Sequence, residues 1–309
     1  VVRNMKTIED SDYEIPYSLK KVMREYQKNG FRWLKTLREY GFGGILADDM
    51  GLGKTLQVIS LLLSEQQDFK GKGEEQKPSL IVCPASLVYN WKKEMKRFAP
   101  SLVPVLVTGA AQERKEQIGG IQPGDVVVTS YDSLKRDVDL YEKHIFAIEV
   151  IDEAQYIKNP VTQAANSVKE IHASFKLALT GTPIENRLSE LWSIFDYLMP
   201  GFLYSYNRFR NDMEIPIVSA GDENKMQRLR RMIRPFVLRR LKTDVLKDLP
   251  EKIEENVFSR LEGEQSALYH AHVQKMKIML EKQDDADFAK GKIEILAELT
   301  RLRQICCDP

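Results

Sequence analysis

Cysteine is scarce in this 309-residue chain: Cys83 lies inside an apolar run, and Cys306 and Cys307 form an adjacent pair. So sparse and odd a set excludes a disulfide framework and points to a reducing, intracellular setting, with Cys83 as a small buried hydrophobe. Histidine is equally rare, with four copies, and none shares zinc-ligand spacing with cysteine. His270 and His272 stand two apart, so on a helix their side chains diverge. Long apolar runs are missing too. The run at residues 58–63 falls far short of the ~18 residues that cross a bilayer, and residues 1–20 lack the apolar centre of a secretory signal. Net charge is nearly absent, since 46 Lys and Arg meet 45 Asp and Glu, which excludes a nucleic-acid binder acting through bulk positive charge. These absences describe a soluble, intracellular protein without membrane contact.

What is present suits a globular fold. Hydrophobic residues make up 43% and charged residues 29%, enough to build a sizeable core and to exclude wholesale disorder or a collagen-like fibre. The length suggests one large or two ordinary domains. Short apolar runs at 44–47, 80–83, 103–107, 125–129, 145–151 and 175–179 read as strands buried on both faces. Helical stripes lie between them: Leu87, Trp91, Met95 and Phe98, then Leu188, Leu191, Phe195 and Leu198. The alternation predicts an α/β fold with a predominantly parallel sheet covered by helices. Polar stretches at 65–77, 219–225 and 281–292 read as loops. Beyond residue 225 two helical stripes stand out, Tyr269, Val273, Met276 and Leu280, then Ile295, Leu299, Leu302 and Cys306. Residues 1–200 thus read as the α/β core and 201–309 as a mostly helical extension.

Chemistry is written most clearly at Asp48-Asp49-Met50-Gly51-Leu52-Gly53-Lys54-Thr55, which follows an apolar strand and opens the helical run 56–63. Glycines let successive N–H groups converge on an anion, and the helix N-terminus adds its dipole. In such a phosphate loop Lys54 reaches the β- and γ-phosphates and the Thr55 hydroxyl ligates Mg²⁺. The strict pattern asks for glycine where this chain has Asp48. A second element follows the run 145–151: Asp152-Glu153-Ala154-Gln155. At the carboxyl end of a parallel strand, Asp152 suits a Mg²⁺ ligand, and Glu153 suits a group that orients and deprotonates the attacking water. Acidic residues also favour helix starts. Glu149, inside the expected strand, suggests an exposed edge or end.

With these residues in place the sequence resembles the Swi/Snf-type ATPases, the double-stranded DNA translocases within helicase superfamily 2. Residues 48–55 resemble motif I, and residues 152–155 resemble motif II. Met23-Arg24-Glu25-Tyr26-Gln27-Lys28-Asn29-Gly30 is similar to the Q motif, Cys83-Pro84-Ala85-Ser86 with Asn90-Trp91 to motif Ia, and Thr129-Ser130-Tyr131 to motif Ib. Thr180-Gly181-Thr182-Pro183-Ile184-Glu185-Asn186 resembles motif III, and residues 236–240 and 302–307 are also family-like. The motifs come in family order from about residue 17 to 309. Runs at 151–159 and 182–200 look more like prokaryotic members. The resemblance implies a RecA-like P-loop lobe in a three-layer arrangement. Its expected nucleotide site comprises Gln27, which reads adenine, with Asp49, Met50, Gly51, Leu52, Gly53, Lys54 and Thr55. Motifs IV to VI, with their arginine fingers, are not found, which implies a second RecA-like lobe in a longer chain whose flanking domains would bring any protein partners. ATP and Mg²⁺ are the implied cofactors, and little hydrolysis is expected without the second lobe.

The same resemblance implies that Gln155, Thr180 and Thr182 couple the nucleotide to DNA. It also implies that Ser86, Thr129, Ser130 and Thr182 contact duplex phosphates, which would position DNA without reading its sequence. Trp91 lies on the helical stripe and fits the core better than a DNA face. Nine basic residues against Asp244 occupy residues 225–247. They suit a solvated helix face and a phosphate track equally, and Arg239 and Arg240 resemble an element that braces the lobes. A strand-separating helicase and a non-catalytic docking module are the alternatives. A GTPase is disfavoured by the lack of an Asn-Lys-x-Asp element. The implied compartment is the cytoplasm or nucleoid of a prokaryote, or a nucleus.

Overall fold

A computed structural model describes residues 13–72, 76–181, 187–245, 255, 258–281 and 288–307. Its centre is a sheet of short apolar strands: β1 (Gly44–Leu46), β2 (Ser79–Cys83), β3 (Val103–Val107), β4 (Asp125–Ser130), β5 (Glu149–Ile151), β6 (Lys176–Leu179) and β7 (Val237–Leu238). Their order is β3-β4-β2-β5-β6-β1-β7, and every neighbouring pair is parallel. Every residue of β1, β2, β4 and β5 is buried, which explains why those runs are continuous in apolar residues rather than alternating.

The helices follow from the order of the strands. α1 (Glu25–Glu39) precedes β1, and α2 (Lys54–Lys72) and α3 (Val88–Phe98) carry the chain from β1 towards the β3 edge. α4 (Ala111–Gly119), α5 (Tyr131–Asp137), α6 (Gln163–Glu170) and α7 (Leu188–Leu198) carry it back. Right-handed crossovers running in opposite directions place the two sets on opposite faces. The packing agrees, with α1 on α2, α2 on α3, α5 on α6 and α6 on α7. Local chemistry sets the boundaries: Ser130 caps α5 by accepting the Ser133 N–H, and Thr162 caps α6 by accepting that of Ala165.

Three sequence expectations change. The polar stretch read as a loop from residue 65 continues α2 to Lys72, because its acids face α1: Glu65 pairs with Lys35 and Arg38, and Asp68 pairs with Lys35. The strand expected at 145–151 narrows to β5, preceded by a single bridge between Phe146 and Ala173. Glu149 is no exposed edge. It is fully buried at the start of β5, with Lys176 Nζ at 3.2 Å, and burial pushes its carboxyl up to about 7 against the pull of that lysine.

The chain divides into two compact units, Val1–Leu249 and Pro250–Pro309, so the first extends beyond residue 200. After α7 it holds α8 (Tyr206–Phe209), α9 (Ile215–Ala220), α10 (Glu223–Ile233), the strand β7 and α11 (Lys242–Val245). The second unit is helical. α12 (Gly263–Glu281) packs on α13 (Phe288–Cys307), where Leu302 and Ile305 are buried and Glu298 accepts from Lys275 and meets His272 Nδ1 at 2.5 Å. No helix among the described residues is long and apolar enough to cross a membrane.

Candidate nucleotide-binding site

The phosphate loop, Asp152 with Glu153, and Thr180 with Gly181 follow the carboxyl ends of parallel strands, where open α/β sheets bind ligands. β1 leads into the phosphate loop and then α2, β5 into Asp152, and β6, which lies between them, into Thr180 and Gly181. Gly51 and Gly53 have φ of +86° and +74°, a region other residues seldom enter. Space restricts Gly53 as well: a Cβ there would lie 2.4 Å from Gln27 Nε2. Gln27 grips the loop by donating to the Leu52 carbonyl at 3.1 Å, while its Oε1 accepts the Arg24 N–H.

Lys54 opens α2 and spans the loop, donating to the carbonyls of Asp48 at 2.6 Å and Asp49 at 3.4 Å. Burial lowers its pKa, and the carboxylates of Asp48, Asp152, Glu153 and Asp49 counter that effect. Gly181 closes in from β6, since a Cβ on it would sit 3.5 Å from Lys54 Nζ and 2.9 Å from Met50. Met50 and Gly51 are exposed, Leu52 is buried, and Asp49, Gly53 and Thr55 are half-buried. Asp49 Oδ2 accepts the Lys242 N–H at 3.0 Å.

Asp152 is buried, and burial raises its carboxyl pKa. The Trp91 indole N–H opposes that rise by donating to Oδ2 at 3.0 Å, and the Glu153 N–H donates to Oδ1 at 2.9 Å. Tyr131 holds the adjacent backbone, its hydroxyl donating to the Asp152 carbonyl at 2.8 Å. Glu153 has φ of +54°, a left-handed conformation that non-glycine residues adopt at a cost and that turns its side chain out of the strand's path. Gln155 donates to Glu153 at 2.7 Å and accepts from Thr180 at 3.4 Å, forming a chain of side chains from β5 to β6.

Among the described residues no three His, Cys, Asp or Glu side chains converge on a metal position. This donor set fits Mg²⁺, which binds through one or two carboxylates plus substrate phosphates rather than a protein cage. Thr55 and Asp152 are the residues that would hold it.

Three of the residues expected at DNA, Ser86, Thr129 and Ser130, lie at the ends of β2 and β4. Ser86 is exposed in the turn after β2. Ser130 ends β4 and is buried, its hydroxyl engaged with Ser133. Thr129 is completely buried, with its hydroxyl directed at the Val107 carbonyl. Thr182 lies outside the described residues. Sequence reasoning missed three partners, namely the Trp91 bond to Asp152, the Tyr131 bond, and Arg240, which donates to Asp48. Only the Asp48 departure from the glycine pattern signalled anything, since a buried acid demands a partner.

A phosphate loop and a strand-end acid pair on a parallel sheet define a P-loop nucleotide-binding fold. The SNF2-related domain profile matches residues 26–309, and the chain belongs to that family. It is 38% identical over 316 residues to the TATA-binding protein-associated factor MOT1 of Saccharomyces cerevisiae, covering 96% of this chain and 17% of that protein. It is 38% identical over 313 residues to the putative ATP-dependent helicase/translocase YwqA of Bacillus subtilis, covering all of this chain and 33% of that protein. The chain therefore spans only a sixth to a third of these relatives. Among solved structures, the SWI2/SNF2 ATPase core of Sulfolobus solfataricus in complex with dsDNA matches with a TM-score of 0.67 and 40% identity, over 95% of this chain and 60% of that one.

Proposed function

We propose that this chain is the first RecA-like lobe of an ATP-driven motor that moves along double-stranded DNA, acting with a second lobe in a longer protein. The observation that carries the reading is the meeting of Lys54, Asp152 with Glu153, and Gly181 at one sheet edge. Lys54 and the loop N–H groups hold the phosphates, and Gln27, already at the loop, reads adenine. Mg²⁺, when bound by Thr55 and Asp152, neutralises phosphate charge. Glu153 orients and deprotonates the attacking water. Its bond to Gln155, and from there to Thr180, gives a route by which the nucleotide state reaches the neighbouring strand ends. Exposed Ser86 lies on the DNA side of that edge, with the Ser130 backbone beside it and Thr182 expected there too. The dsDNA in the archaeal relative's structure supports a duplex substrate. The compartment follows from the DNA, nucleoid or nucleus according to the host.

The second lobe supplies the arginine finger, and such a group is worth about 10³–10⁵ in rate in phosphoryl transfer. The chain by itself is therefore expected to bind Mg-ADP and Mg-ATP weakly and to turn ATP over negligibly, with or without duplex DNA. Lys54→Ala is expected to weaken nucleotide binding by about tenfold or more, as loss of a charged phosphate contact does. Calorimetric titration and a phosphate-release assay check both. Strong DNA-stimulated turnover by this chain that disappears in Lys54→Ala would refute the need for a second lobe. Strand displacement by the longer protein would favour a helicase over a translocase.

A further inference from the structure

Asp48 stands where phosphate loops ordinarily carry glycine, and its side chain is fully buried. Arg240, 192 residues away, closes on it with two bonds, Nε to Oδ1 at 2.9 Å and Nη2 to Oδ2 at 2.5 Å. Gln57 joins from α2, donating to Asp48 Oδ2 at 3.2 Å and accepting from Arg240 Nη2 at 2.7 Å. Arg240 Nη1 donates to the Tyr26 carbonyl, and its guanidinium lies 5.2 Å from the centre of the Tyr26 ring. Gly30 makes the approach possible, since a Cβ there would fall 1.8 Å from Gln57 Oε1 and 2.9 Å from Arg240 Nη2.

The backbone follows the same line. Ala47 N–H donates to the Leu238 carbonyl, Asp49 N–H to the Arg240 carbonyl, and Lys242 N–H to the Asp49 carboxylate. β7 is a two-residue edge strand that, among the described residues, pairs only with β1, so main-chain pairing alone specifies its place weakly. The planar guanidinium supplies what the short ladder lacks, bridging three partners in a fixed geometry. The consequence reaches the phosphate site directly. The Asp48 carbonyl is the nearest acceptor of Lys54 Nζ, at 2.6 Å, so whatever holds the Asp48 side chain also sets where Lys54 rests.

We infer that Arg240 is a positioning residue for nucleotide binding: its ion pair with Asp48 locks the phosphate loop to β7 and presets Lys54. The inference deepens the proposed nucleotide site and rests on it. Arg240 acts through Asp48 and touches no phosphate.

The test is a four-way comparison on this chain. Arg240→Lys and Arg240→Met are made with Asp48 intact and again with Asp48→Asn, and affinity for a fluorescent ADP analogue with Mg²⁺ is measured. Amide exchange across residues 49–55 is followed alongside, with β2 and β4 as reference. Arg240→Lys keeps the charge but not the three-way geometry. It is expected to weaken ADP about tenfold or more and to speed exchange in the loop, leaving the reference strands protected and the melting temperature within a few degrees of the parent. In the Asp48→Asn background no carboxylate remains to be paired, so the further loss from either Arg240 change is expected to shrink to about threefold or less.

Affinity equal to the parent in both Arg240 variants overturns the inference, as does an equal loss with and without the Asp48 charge. Faster exchange throughout the sheet, or failure of both Arg240 variants to fold in both backgrounds, assigns Arg240 to stability alone and overturns it too. If the parent binds ADP and Lys54→Ala does not, while the Arg240 variants bind normally, this inference alone fails. If the folded parent binds no nucleotide, the functional reading fails with it.

Discussion

Burial makes the Asp152 carboxyl harder to ionise, and the Trp91 indole N–H works against that by donating to it. Trp91→Phe keeps the apolar body and removes only this donor. The sign follows from the direction of the shift. Asp152 already has a raised pKa, and loss of a bond to its charged form raises it further. Only the carboxylate can share Mg²⁺, so the pH profile of Mg²⁺-supported nucleotide binding is expected to move to higher pH in Trp91→Phe, with little change in binding at alkaline pH. The variant is also expected to lose about 2 kcal/mol of stability, as for a hydrogen bond to a charged group. Titrations at several pH values and a denaturant melt check both, and an unmoved profile would leave Trp91 a packing residue only. The sequence located Trp91 on the helical stripe and so in the core. It could not show the bond, because a donor and an acceptor 61 residues apart leave no periodic trace. The same holds for Arg240, whose partner is visible only as an anomaly at Asp48.

Elements were legible where periodicity had length to work with. Six of the seven strands and the stripes of α3 and α7 were readable, because a strand buried on both faces or an eleven-residue amphipathic helix repeats its signal. β7 was not readable, since two residues cannot show a period, and the acidic end of α2 looked like a loop because its acids pair with α1. Glu149 broke the apolar run of β5 and invited an exposed reading, yet Lys176, whose Nζ lies 4.9 Å from the centre of the Tyr197 ring, covers it. Its carboxyl, pushed up to about 7 from 4.5, gives this element a pH dependence. Between those values the folded chain holds a proton that the unfolded chain has released, so stability falls as pH rises through that window and stays lower above it. Glu149→Gln cannot titrate. Going from pH 5 to pH 8, the parent is expected to lose on the order of 3 kcal/mol relative to the variant. Paired denaturant melts at the two pH values check this. Equal pH dependence in both proteins would mean that Lys176 keeps Glu149 ionised throughout.

The whole chain poses the question of where the nucleotide-binding unit ends. Motifs and strand runs placed the α/β core at residues 1–200, because helix–strand alternation fades beyond that point. The sheet does not end there. β7 adds its seventh strand from residues 237–238, and Arg240 and Lys242 complete the contacts of Asp48 and Asp49. A chain stopped at residue 200 would strip the outer edge from β1 and leave the buried Asp48 carboxylate without its guanidinium, a loss of about 3–5 kcal/mol in comparable buried pairs. It would also uncover Trp33, whose indole N–H donates to the Pro235 carbonyl, and Phe42, which packs on Phe236. Typical domain stabilities are about 5–15 kcal/mol, so these losses together are of the size that unfolds a domain. A chain stopped after Leu249 keeps every one of these contacts and coincides with the first compact unit. It is therefore expected to melt cooperatively and to bind Mg-ADP within about threefold of the 309-residue chain, whereas the one ending at residue 200 is expected to aggregate or melt without a transition. Calorimetry and a fluorescent ADP titration on the two truncations decide it. Cooperative melting and nucleotide binding by the shorter one would show that β7 and Arg240 are accessories to the phosphate loop rather than part of its foundation.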